Sequence, residues 1–138
     1  MIDILVIGNP TLDYIEGKFF GPGGAVTYVN NSLFQMGQSS VTIITSFGED
    51  FSEKNLLSPK KLINIKSELT NKFDFHLSSN ARDMQVSSEG RNIKFDQIEL
   101  KTTPEIIFIS PVLYEISIDE TKSLMNRFQS SIFVGMPQ

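Results

Sequence analysis

Ile4-Leu5-Val6-Ile7-Gly8-Asn9-Pro10 decides the fold. Its branched apolar residues form an unbroken run, as in a strand covered on both faces, and glycine, asparagine and proline then stop it at once. The same grammar returns in Val41-Thr42-Ile43-Ile44, Ile106-Ile107-Phe108-Ile109 and Ile132-Phe133-Val134. Between the first two runs Val26, Val29, Leu33 and Met36 recur at helical steps, and Gly37 follows as a C-terminal stop. Ahead of the last run, Asp119-Glu120 opens a segment in which Ile118, Leu124, Met125 and Phe128 can share an apolar stripe, with Lys122 and Arg127 toward solvent. Strand, helix, strand thus occurs twice. That order predicts right-handed crossovers in a Rossmann-like layered α/β fold with a mainly parallel sheet.

The middle of the chain obeys a different rule. Phe73-Asp74-Phe75-His76-Leu77, Met84-Gln85-Val86 and Ile93-Lys94-Phe95 alternate apolar with polar residues and are separated by serine-rich turns. Alternation of this kind predicts an antiparallel sheet with one wet face. Tyr14 to Phe20 has the same half-polar character. Segments at about 14–20 and 66–100 are therefore expected to form a small β-sheet flap on a single domain spanning residues 1–138.

Composition removes whole classes of function. The 138 residues contain no cysteine and one histidine, His76, which excludes zinc-thiolate sites, iron–sulfur clusters, thiol nucleophiles and multi-histidine metal centres. Twelve Lys and Arg stand against 16 Asp and Glu, a net charge of -4, and no basic run exceeds Lys60-Lys61, so nucleic acid is not an expected partner. Asp3 stands where a secretory signal would want positive charge, and no apolar run approaches the roughly 20 residues that cross a bilayer, so the expected location is the cytosol, away from membranes. His76 lies in an alternating run with no carboxylate at a telling spacing and reads as a solvent-facing or packing residue.

In an open parallel sheet, ligands gather beyond the carboxyl ends of the strands. Asp13 and Glu115 are the acceptor groups that fall on loops at that edge. Gly21-Pro22-Gly23-Gly24 runs straight into the first helix, where glycines admit a ligand to the backbone and free N–H groups can meet a hydroxyl or an anion. Neither a spaced-glycine dinucleotide fingerprint nor a phosphate loop is present. Glu49 and Asp50 can begin a short helix near Phe51 to Leu57.

Taken in order, Ile4 to Asp13, Gly23-Gly24 opening a helix that closes at Met36-Gly37, Val41 to Phe47-Gly48-Glu49-Asp50, Arg82, and Ser110 to Ile116 resemble the ribokinase-like (PfkB-type) carbohydrate kinases. The resemblance implies that sugar or nucleoside hydroxyls meet Asp13 and the backbone of Gly23 and Gly24, and that the flap is the family's lid, which often pairs with a second subunit. Where many members carry an asparagine, four residues beyond the second glycine, this chain has Tyr28, so the usual sugar contact is altered.

The family's catalytic Gly-Ala-Gly-Asp segment is absent, so no catalytic residue is assigned. The expectation is an acceptor-binding half of a sugar or nucleoside kinase, inactive alone, with no cofactor of its own and with ATP and Mg belonging to the complete family. It would self-associate or await a complementary C-terminal half. A non-catalytic binding or assembly protein, or a truncated remnant that keeps the fold, is the alternative.

Overall fold

A computed structural model describes residues 1–96 and 98–136. In chain order the elements are β1 (Ile4–Ile7), β2 (Thr11–Ile15), β3 (Lys18–Gly23), α1 (Ala25–Gln35), β4 (Val41–Thr45), β5 (Lys61–Asn64), β6 (Asn71–Leu77), β7 (Arg82–Ser88), β8 (Ile106–Ile109), α2 (Ile118–Arg127) and β9 (Ile132–Gly135). Five of these strands form one parallel sheet in the order β5-β4-β1-β8-β9. The four unbroken runs are its members, and β1 lies at the centre with Ile4 opposite both Val41 and Ile106.

Because neighbouring side chains of a strand point to opposite faces, the sheet carries two cores. Ile4, Val6, Val41 and Ile43 pack with Val26 and Val29 of α1. Leu5, Ile7, Ile44 and Ile107 pack with Leu124 and Phe128. β5 was not foreseen, because an edge strand meets water along one side and tolerates the mixed pattern Lys61-Leu62-Ile63-Asn64.

α1 ends as its sequence predicts: Gly37 adopts φ +81, and the Gly37 and Gln38 N–H groups donate to Phe34 and Leu33 carbonyls. The stripe stops short, however, because Met36 falls at the C-cap and is 74% exposed. α2 starts at Ser117, whose hydroxyl accepts the Glu120 N–H. Its apolar stripe is narrower than expected. Leu124 and Phe128, four apart, are buried, whereas Ile118 and Met125 lie about a third of a turn round the helix and are exposed. Near Phe51 to Leu57 there is only a single 3-10 turn, Glu53–Asn55, rather than a full helix.

The flap is a second sheet, ordered β3-β2-β6-β7. It is mixed rather than antiparallel: the two hairpins are antiparallel, but β2 and β6 leave the main layer side by side in the same direction, Thr11 opposite Asn71. Ile93-Lys94-Phe95 is not one of its strands. Ile93 and Phe95 turn inward and fill the core beside Leu124, so their alternation reflects a chain lying on a core rather than a sheet with one wet face.

At the tip of the first hairpin, Glu16 and Gly17 both take positive φ, 49° and 74°, as a two-residue turn of the favoured hand requires. Glu16 also clips this turn to β6. Its carboxylate accepts the Leu77 N–H at 2.7 Å and faces His76 Nδ1 at 3.2 Å. His76 is therefore a surface residue with a carboxylate partner, one that sits 60 positions away and is invisible to local spacing. The Leu77 amide and His76 lower the Glu16 pKa, and the Glu16 hydrogen bond raises that of His76. The support His76 lends is thus complete below its unfolded pKa of about 6.5 and is lost as pH rises through the folded value.

Among the described residues no helix is long and apolar enough to cross a membrane.

Candidate functional site

The carboxyl ends of β1, β4 and β8 meet around one buried asparagine. Asn9 donates its backbone N–H to Glu115 Oε1 at 3.2 Å and its amide to the Arg91 carbonyl at 3.0 Å, while its Oδ1 accepts the Ser46 N–H at 2.8 Å. Gly8, just before it, passes so close to β8 that a Cβ would stand 2.1 Å from the Ser110 carbonyl oxygen. Only glycine fits there.

Glu115 is held by the backbone around it. Its side chain is buried, at 3% residue exposure, and its oxygens take the N–H groups of Asn9, Val112 at 2.8 Å and Leu113 at 2.8 Å. Those bonds compensate a buried carboxylate and staple the loop after β8 to the loop after β1. The side chain that the sequence places at the ligand edge is thus engaged with backbone at three of its acceptor positions.

Asp13 is placed differently. It sits half-buried on β2, opposite the glycine-rich end of β3. The Thr11 hydroxyl, on the same face two residues earlier, donates to Asp13 Oδ1 at 2.6 Å. Oδ2 accepts no hydrogen bond among the described residues and lies over Gly23, where a Cβ would come within 2.1 Å of it and 2.6 Å of Thr11 Oγ1. One oxygen is thus held and the other is offered. Burial raises the carboxyl's pKa, and the Thr11 hydroxyl opposes that rise without cancelling it.

Gly24 follows with φ +86 and begins α1 with no side-chain cap, and a Cβ there would meet the Asn9 carbonyl oxygen at 2.9 Å. Tyr28 stands one turn further on, its N–H bonded to the Gly24 carbonyl, with its side chain 59% exposed. The structure therefore brings Asp13, Gly23 and Gly24 together, sets Tyr28 beside them, and assigns Glu115 to the scaffold. Asn30 and Asn31, which face elsewhere, bind the 55–57 backbone.

Gly23→Ala tests this packing. The new methyl must displace the Asp13 carboxylate or move β3, and an overpacking cost of about 1–3 kcal/mol is expected, read as a lower melting temperature. An unchanged melting temperature would show that Asp13 is not held as described.

Two residues escaped the sequence reading. Thr11 has no signal of its own in the sequence, but the spacing Thr-x-Asp on a strand places both side chains on one face. Asp50 was read as a helix starter, but it anchors the flap. Its Oδ1 accepts the Thr70 N–H at 3.0 Å and hydroxyl at 2.6 Å, and its Oδ2 pairs with Lys72 at 3.3 Å. Burial pushes the Asp50 pKa up, but the Thr70 and Lys72 bonds outweigh it and leave the pKa below the ordinary value. That anchorage is present above the unfolded pKa of about 3.9 and is lost as pH falls through the folded value. Arg82, on β7, is exposed and lies over the Phe75 ring at 4.9 Å.

No group of three or more His, Asp or Glu among the described residues is placed to hold a metal ion. Pro137 and Gln138, which follow β9 and Met136 in sequence, lie outside the described residues.

A parallel sheet with a strand-built flap at its carboxyl edge is a fold that is found in known kinases. A pyrophosphate-dependent kinase of the ribokinase family, complexed with a pyrophosphate analog and myo-inositol, superposes with a TM-score of 0.70 at 21% identity over 96% of this chain and 48% of its own. A fructokinase from Halothermothrix orenii matches with a TM-score of 0.69 at 16% identity over 97% and 56%. A sugar kinase from Pyrococcus horikoshii in complex with ATP matches with a TM-score of 0.64 at 15% identity over 96% and 52%. The chain has the ribokinase-like fold and spans about half the length of the solved structures it matches. No family model matches the sequence, and no curated protein is similar to it in sequence.

Proposed function

We propose that these 138 residues are the acceptor-binding part of a kinase that phosphorylates a hydroxyl of a sugar or polyol. The observation that carries this reading is Asp13, whose Oδ2 is held unpartnered above Gly23 at the carboxyl edge of the sheet. A carboxylate oxygen with free lone pairs accepts hydroxyl hydrogen bonds, and charge assistance makes such bonds about twice as strong as neutral ones. Thr11 keeps the carboxylate from rotating, Gly23 leaves the room that Asp13 Oδ2 occupies, Gly24 lets the start of α1 approach the Asn9 carbonyl, and the exposed ring of Tyr28 offers an apolar face to the C–H side of a sugar ring. The flap strands, β2, β3, β6 and β7, form a wall beside this point and act as a lid of the same domain.

Neighbours complexed with myo-inositol or named for sugars favour a sugar or polyol over a nucleoside. They include both a pyrophosphate-dependent kinase and one complexed with ATP, so the donor is not carried over. The glycine-rich segment with its aspartate, which would serve the donor side, is not among these residues. Phosphoryl transfer rests mainly on positioning both reactants and on electrostatic stabilisation of the transferred group. The 138 residues alone therefore bind acceptor without turning it over.

The test is calorimetric titration of myo-inositol, fructose and adenosine into the chain, followed by turnover assays with ATP and with pyrophosphate. Saturable binding of a polyol without turnover is expected. Robust turnover would refute the assignment of an acceptor site alone, and absence of binding by every compound would remove the acceptor site itself.

A further inference from the structure

The opposite edge of the main sheet holds a cavity of about 250 Å³. Its walls include Asp3, Ser40, Lys60 and Pro104, each at or just before the amino end of β1, β4, β5 or β8, so it lies at the far end of the strands from Asp13. Its floor is a cross-strand row. Leu5 pairs with Thr42 and Thr42 with Lys61, which places the three side chains on one face of the sheet. Leu100 completes the apolar lining.

The charge of this cavity runs against that of the chain. Three lysines line it and one carboxylate, in a protein of net charge -4. That carboxylate is engaged: Asp3 accepts the Ser40 hydroxyl and faces Lys60 Nζ at 3.6 Å, and Lys60 also donates to Ser40 Oγ at 3.0 Å. Lys61 and Lys101 have no carboxylate within ion-pair distance among the described residues. The positive strip continues along the same wall, where a neighbouring cavity of about 650 Å³ is lined by Ile63, Ile65 and Ile98 with Arg91 and Lys94 and has no carboxylate.

Apolar floor and unpaired cations together select one chemistry. We propose that the cavity binds a small amphipathic anion: an oxyanion head, carboxylate or phosphate, set between Lys61 and Lys101, on a short aliphatic body lying over Leu5 and Leu100. A lysine ammonium is a mobile point charge that accepts either head, and the apolar surface favours a ligand that carries a hydrocarbon portion. The site is separate from the acceptor site and does not depend on the kinase reading.

The experiment is a titration of the isotope-labelled chain, followed by amide resonances, with octanoate, octyl phosphate, inorganic phosphate and octanol. Octanoate or octyl phosphate should shift Leu5, Thr42, Lys61 and Leu100 saturably and leave Asp13 and Gly23 unmoved. The stronger of the two shows which head is preferred. Lys61→Ala/Lys101→Ala should weaken binding about tenfold, and Lys61→Arg/Lys101→Arg should retain it. The lysine side chains are exposed, so both variants are expected to fold. Octanol binding as well as the anions, inorganic phosphate binding as well as octyl phosphate, no saturable shift, or an unaltered double alanine variant would each overturn the proposal.

Discussion

Asp13→Asn is expected to raise the melting temperature at neutral pH while weakening polyol binding by about 100-fold. The two effects have one cause. Burial raises the Asp13 pKa, so the ionised carboxylate is more costly in the folded chain than in the unfolded one. For a carboxyl whose folded pKa is raised, the stabilising contribution is full below the unfolded value of about 3.9 and is lost as pH rises through the folded value. At pH 7 the native protein therefore carries the penalty and the amide does not, whereas near pH 3 the two proteins should melt together. Asparagine can still accept the Thr11 hydroxyl, so packing is preserved. It replaces the charged acceptor with a neutral group, and the loss of two charge-assisted bonds at about 1.5 kcal/mol each accounts for the weaker binding. Melting curves at pH 3 and pH 7 with calorimetric titration provide the check. A variant less stable than the native chain at pH 7 would contradict this account of Asp13.

Glu115→Ala is expected to do the reverse, with a large loss of stability. The carboxylate is buried and takes three backbone N–H groups, from Asn9, Val112 and Leu113. Alanine leaves all three without that acceptor, the Asn9 and Val112 donors buried and the Leu113 donor part-buried, and an orphaned buried donor costs about 1–3 kcal/mol. A loss of about 3–5 kcal/mol follows, a large part of the 5–15 kcal/mol that holds an ordinary domain together. Glu115→Gln keeps one acceptor oxygen and should fall between the two. Urea unfolding measures the difference. A loss below about 1 kcal/mol would show that water or another group satisfies these amides.

Both residues looked alike in the sequence, as acceptors on loops at the ligand edge, and the reason they diverge is physical. What distinguishes them is whether the chain spends the acceptor on itself, and that depends on partners up to 106 positions away. The centre of the parallel sheet was legible because β1 and β4 are buried on both faces, so burial writes itself into unbroken runs such as Ile4 to Ile7, and β9 keeps such a run although it lies at an exposed edge. α1 was legible because its stop is chemical: Gly37 takes a conformation that other residues avoid. β5 was not, since an edge strand with lysine and asparagine carries no such signature. The flap was legible as alternation, but not in its full membership. Ile93 and Phe95 alternate because they lie on a core, a pattern that a strand with one wet face shares. Of the site, the glycines and Asp13 could be found from sequence, while the Thr11 clamp needed the strand assignment of β2 first.

The central claim is that the chain presents an acceptor site at Asp13 and its glycines. Its most direct test is a titration of myo-inositol, fructose and glucose into the isotope-labelled chain, read at individual amides. The account predicts that at least one polyol shifts Asp13, Gly23, Gly24 and Tyr28 saturably and that Asp13→Ala abolishes those shifts. Saturable shifts located elsewhere, or shifts at these amides that survive Asp13→Ala, would contradict it.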